Sequence, residues 1–97
     1  MMSFEIISSK FFIKQLEEFD SKTKRLIHEK IQLIKENPYR NKKVHSKIFS
    51  RVFRVRLRIQ GKEKRLIYVV LSPKIILACF IDRNKDYKDL EKYLKKI

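Results

Sequence analysis

The stretch RVFRVRLRIQGKEKRL, residues 51–66, decides the fold. Arginines at 54, 56 and 58 alternate with apolar residues at 53, 55, 57 and 59. That alternation marks a β-strand with one buried face, because successive side chains point to opposite sides. Phe53, Val55, Leu57 and Ile59 then face a core. Arg54, Arg56 and Arg58 share the other face, roughly 6–7 Å apart along the strand. Such a stack of guanidinium groups is costly unless something negative lies over it. The glycine in QGKEK, Gly61, is the only one in the chain and predicts a hairpin turn.

Outward from this strand, the chain reads as one domain of 97 residues. FEII at residues 4–7 is β-prone and ends at two serines, of which Ser9 can cap a helix carrying Phe12, Leu16 and Phe19. Asp20 or Ser21 caps a second helix, with Leu26, Ile27, Ile31 and Ile34 at helical spacing and a stop at Asn37 before Pro38. Residues 39–47 are polar and basic, a predicted loop. The runs RLIYVVL (65–71) and IILACFI (75–81) are nearly continuously apolar, which predicts central strands buried on both faces. Leu90, Tyr93, Leu94 and Ile97 predict a C-terminal helix over 87–97. The expected fold class is α+β, in the order β-α-α-β-β-β-α. A helical hairpin and a C-terminal helix pack on a mostly antiparallel four-stranded sheet.

Net charge is +14, from 25 basic and 11 acidic side chains, which implies a polyanionic partner. Residues 37–62 hold no acid but nine basic residues: Arg40, Lys42, Lys43, Lys47, Arg51, Arg54, Arg56, Arg58 and Lys62. The middle of the fold should therefore carry a positive face, with Arg54, Arg56, Arg58, Arg51, Lys47 and Lys43 as candidate contacts to that polyanion. The single Cys79 lies in an apolar run and reads as a buried hydrophobe in a reducing compartment. No run is long enough to span a membrane, so a cytoplasmic protein is expected. His28 and His45 have no second ligand at metal-binding spacing, so neither a metal nor another cofactor is expected.

The order of elements, with SSKFFIKQL, ENPYR, FRVRLRI, KRLIYVV and FIDRNKDYKDL, resembles the RelE/ParE superfamily of toxins from toxin-antitoxin pairs. The resemblance covers nearly the whole chain. It implies an acidic antitoxin, RelB-like, as partner. For the RelE branch it implies binding in the ribosomal A site and cleavage of mRNA by its own 2′-hydroxyl. ParE-type members instead poison gyrase. The positions that match the RelE branch are Arg54 and Arg56 on the strand, Arg65, Arg83 and Tyr87, with Arg58 at a further basic position. Asp82 stands where many members have histidine, so the arrangement is closer to the one that works without histidine.

The chemistry agrees with these residue types. Cleavage requires a proton removed from the 2′-hydroxyl, charge stabilised on the phosphorane, and support for the leaving oxygen. Arginine supplies the second without titrating, which suits Arg65 and Arg83. Tyr87 lies in sequence among Arg83, Lys85 and Lys88, and cations nearby favour a phenolate that takes the proton. Plainer readings stand beside these. The stripe can be a solvated face or dock the antitoxin, and Tyr87 can staple the last helix. Tyr68 reads as core and Tyr39 as loop packing. Three functions remain open on the sequence: an endoribonuclease toxin, a ParE-like gyrase inhibitor, and a non-catalytic basic RNA-binding module.

Overall fold

The computed structural model describes residues 3–82 and 89–97. The elements are β1 (Glu5–Ser8), α1 (Lys10–Glu17), α2 (Ser21–Glu36), β2 (Lys42–Val44), β3 (Val52–Ile59), β4 (Lys62–Leu71), β5 (Lys74–Asp82) and α3 (Leu90–Leu94). They form an α+β fold around one sheet of order β1-β5-β4-β3-β2. Only β1 and β5 run parallel; the other neighbours are antiparallel.

Among the described residues the sheet has five strands in place of the expected four. The additional strand, β2, lies in the segment read as a loop. It is three residues long, two of them lysines, too short and too polar to show period-2 patterning. A short lysine-bearing strand is also a common way to blunt a sheet edge. The two apolar runs become β4 and β5, and both are interior strands, as their composition requires.

Local chemistry sets the element ends. Ser9 caps α1, its hydroxyl accepting from the Phe12 N–H at 3.0 Å. Asp20 caps α2 by accepting from the Thr23 N–H at 2.8 Å. The β3–β4 hairpin closes through Gln60 and Gly61, both at positive φ (52° and 78°), the combination required of a two-residue turn that matches strand twist.

The sheet buries both faces. On the hairpin side, Phe12, Ile27 and Ile34 of α1 and α2 meet Phe53, Leu57, Ile59, Leu66, Tyr68, Leu77 and Phe80. Phe12 stacks on Phe80 with centroids 4.9 Å apart. The buried Tyr68 hydroxyl donates to Pro38 O at 2.6 Å and accepts from Asn41 Nδ2 at 3.0 Å, tying the loop after α2 to the sheet. Tyr39, in that loop, packs edge-on to Phe4 and Phe53. On the opposite side, Leu90 and Leu94 of α3 cover Val52, Ile67, Val69, Ala78, Cys79 and Ile81. The face that carries the arginines is thus partly roofed.

A β-bulge lies where β5 passes Ile67 and Tyr68: Ile67 pairs with Cys79 and Tyr68 with Leu77, leaving Ala78 as the extra residue. Ala78 and Cys79 both join the α3-side core, and alternation resumes with Phe80 on the hairpin side and Ile81 on the α3 side. Beyond the end of β1, side chains take over the pairing along β5. Ser9 Oγ donates to Ala78 O at 2.7 Å. Gln15 uses both ends of its amide on Phe80, donating to its carbonyl at 2.9 Å and accepting from its N–H at 2.7 Å.

Candidate nucleic-acid interface

The alternation of β3 holds. Phe53, Leu57 and Ile59 are buried on the hairpin side with Val55 packed beside them, so Arg54, Arg56 and Arg58 lie on the α3 side. Their environments are graded. Arg54 is 9% exposed, whereas Arg56 and Arg58 are exposed. Paired residues in a sheet share a face, and Arg56 pairs directly with Arg65 of β4. Arg65 is half-buried. Like charges opposite one another disfavour the fold by a few tenths of a kcal/mol or more. Bringing them together concentrates positive charge at the centre of the strip.

The register also places three further residues. Lys43 pairs with Phe53 and therefore points to the hairpin side, away from the arginines. Its neighbour Lys42 pairs with Arg54 and takes the place on the basic face. Arg51 precedes β3 and places its guanidinium 5.7 Å from the Tyr39 ring centroid, in the hairpin-side aromatic cluster. It is a cation on a ring and not a member of the stripe. Glu63 answers the reading of an acid-free stripe. It pairs with Arg58 across the hairpin, and its Oε1 is 3.8 Å from Arg56 Nε. An exposed contact of that length contributes little and leaves the arginine accessible. Lys47 is exposed in the loop after β2, where its N–H donates to Glu91 Oε1 of α3 at 3.2 Å.

Asp82 does not face the arginines. Arg65 pairs with Ile81, so the adjacent Lys64–Asp82 pair lies on the other side of the sheet. Lys64 Nζ is 3.1 Å from Asp82 Oδ1 and 5.9 Å from the centroid of the Phe19 ring of the hairpin. Asp82 is thus ion-paired with Lys64. Arg83 and Tyr87 lie outside the described residues.

The remaining titratable candidates are structural. Burial pushes the Tyr68 phenol up, against the opposing Asn41 hydrogen bond. Burial also pushes the Cys79 thiol up to about 12, as expected of a core cysteine. His28 and His45 are exposed. Among the described residues no three His, Cys, Asp or Glu side chains cluster as metal ligands. None of the described helices is long and apolar enough to cross a membrane. Around the edge strand β2, Lys42, Lys43, Val44, His45 and Arg54 line a hollow of about 420 Å³. Arg54 is its most buried cation. The arrangement can grip a chain of phosphates and supply fixed positive charge at Arg56 and Arg65.

No family model and no curated protein matches the sequence. Solved structures do. A free-state structure of an arginine-substituted mutant of the Escherichia coli toxin RelE matches with a TM-score of 0.70 and 11% identity, over 98% of this chain and 94% of that one. A chain of the intact E. coli RelBE toxin-antitoxin complex matches at 0.67 and 17% identity, over 86% of this chain and 99% of that one. The isolated E. coli RelE toxin in a P21 crystal form matches at 0.67 and 15% identity, over 96% of each chain. The chain, with this sheet order and helical hairpin, therefore has a RelE-like fold.

Proposed function

We propose that this chain is the toxin of a toxin-antitoxin pair and acts in the cytoplasm as a ribosome-dependent mRNA endonuclease. The observation that carries the reading is the direct pairing of Arg56 with Arg65 on the α3 side of the sheet, flanked by Arg54, Arg58 and Lys42. A gyrase inhibitor or a simple binding module does not need two arginines set against each other at a central cross-strand position. A reaction that builds negative charge on one phosphate is served by it.

In this reading Lys42, Arg54, Arg56 and Arg58 hold the mRNA backbone, and Arg65 sits beside the reacting phosphate. The 2′-oxygen forms a bond to phosphorus, its proton passes to a base, and the bond from phosphorus to the 5′-oxygen breaks. Arg65 and Arg83 stabilise the phosphorane, and Tyr87 takes the 2′-proton; Arg83 and Tyr87 keep the roles that the resemblance implies. The 5′-oxygen recovers a proton from solvent, and no metal or small-molecule cofactor enters. An acidic antitoxin neutralises the protein.

The test is single-turnover cleavage of a programmed ribosomal complex, with chemical identification of the new 3′ ends. Wild type should leave a 2′,3′-cyclic phosphate. Arg65→Ala should slow cleavage by about 10²–10³, the usual effect of removing one electrostatic donor. Tyr87→Phe should do likewise and leave ribosome binding nearly unchanged. Binding without any cut by wild type would refute the endonuclease reading.

A further inference from the structure

At the β1 end of the sheet, the α3 side holds an apolar groove. Ile75 and Leu77 face the helical hairpin, so Ile76 between them faces α3, and so does Ile7, its partner in the parallel β1–β5 pair. These two half-buried residues line a groove of about 630 Å³. Phe11 of α1 and Tyr93 of α3 line it too. Their rings stack with centroids 4.3 Å apart, which joins the two helices into one aromatic wall. Ile97, three residues beyond α3 and 37% exposed, completes the apolar lining. The polar residues of the lining are two serines and three exposed lysines. Lys10 and Lys14 stand one turn apart on the same face of α1, and Lys96 follows α3. Among the described residues no Asp or Glu lines the groove. An apolar cleft of this volume with a few polar groups has the make-up of a small-molecule site.

We propose that this groove binds one anionic amphiphile, a free unbranched fatty acid. The acyl chain lies over Ile7 and Ile76 and against the Phe11–Tyr93 wall, where it removes their apolar surface from water. The carboxylate meets the lysines, which have no competing acid in the lining. Charge and apolarity together select this class of ligand. A nucleic acid would satisfy the lysines but leave the isoleucines and rings wet. A neutral hydrocarbon would cover the isoleucines but leave the three cations unused. A long-chain carboxylate uses both halves of the lining. The site owes nothing to the arginines of β3, and it stands whether or not the chain cuts mRNA.

The probe is sodium dodecanoate, kept below micelle-forming concentration and titrated into the full chain while isoleucine methyl resonances are followed by NMR. The methyls of Ile7, Ile76 and Ile97 should shift and saturate. Those of Ile27, Ile34 and Ile59, buried on the hairpin side, should not move. Decanoate and octanoate should bind more weakly, by about two- to fourfold for each methylene removed. Dodecyltrimethylammonium, the same chain with a cationic head, should bind about tenfold more weakly or worse. The triple variant Lys10→Gln, Lys14→Gln, Lys96→Gln changes only exposed side chains and should weaken dodecanoate binding about tenfold. Ile97→Glu, which sets a carboxylate beside the ligand's own, should weaken it as well. Lys24→Gln, Lys35→Gln, Lys62→Gln removes three exposed cations elsewhere and should leave binding unchanged. The proposal is overturned if the three groove methyls show no saturable shift, or if the cationic amphiphile binds as tightly as dodecanoate. It is equally overturned if the two triple variants lose the same affinity, because binding then follows overall charge. Shifts that appear only with dodecanoate held in phospholipid vesicles would mean adsorption to a surface and would also overturn it.

Discussion

Substitution of single cations tests the sidedness of the basic face. Removing one cation that binds a phosphate of single-stranded RNA should reduce the slope of log affinity against log salt by about 0.7. Between about 50 and 200 mM salt, that is roughly a 2.6-fold change in affinity per cation. Lys42→Ala, Arg56→Ala and Arg58→Ala each remove an exposed cation from the α3 side, so each should flatten the slope by one such step. The triple substitution should flatten it by about three steps, close to 20-fold over the same salt range. Lys43→Ala and Arg51→Ala change the net charge equally. They should leave the slope alone, because Lys43 shares a face with Phe53 and Arg51 lies against Tyr39. The assay is fluorescence anisotropy with a labelled RNA oligonucleotide at several salt concentrations. If Lys43→Ala flattens the slope as much as Lys42→Ala, affinity follows overall charge and the argument from register is wrong.

Tyr68→Phe should cost about 1–3 kcal/mol in urea unfolding, because it strips the buried Pro38 carbonyl and the Asn41 amide of their common partner. Cys79 should resist an aromatic disulfide reagent at mildly alkaline pH in the native protein and react once urea exposes it, since its thiol is pushed up to about 12. The Asp20 carboxyl is held below its ordinary 3.8 by hydrogen bonds from the Thr23 side chain and backbone N–H. A carboxyl lowered in the folded state stabilises fully above its unfolded value and loses that stabilisation as pH falls through the lowered one. The acid limb of the thermal-stability profile should therefore flatten in Asp20→Asn.

What the sequence revealed depended on local rules. Alternation in β3, the Gly61 turn, and the Ser9 and Asp20 caps each need only a few neighbouring residues, and each is found where those residues put it. What it concealed depended on partners far along the chain. Three residues of β2 become a strand only because β3 offers an edge, and whether Lys42 or Lys43 faces the arginines is fixed by pairing with Arg54 and Phe53. Glu63 is absent from the acid-free stretch, yet the hairpin folds it back between Arg56 and Arg58. The Arg56–Arg65 pairing was equally hidden, although both residues were singled out separately. The clamp of Gln15 on Phe80 joins positions 65 residues apart in the chain, and no local pattern signals it.

The extra residue in β5 acts as a phase shift. Counting by twos from Leu77, which faces the hairpin, an unbroken strand would place Asp82 on the side of Arg65. A carboxylate there would sit among the arginines and act as a built-in competitor for any anionic substrate. With Ala78 inserted, the count slips by one and the same aspartate emerges beneath the sheet, where Lys64 receives it. A single small residue, four places earlier and carrying no charge, thus decides which face of the sheet receives the carboxylate. Two proteins of this fold with identical ionisable residues but different bulges would distribute the same charges differently between the two faces of the sheet. Alignments that slide a gap through IILACFI would assign Asp82 to the wrong side of the molecule.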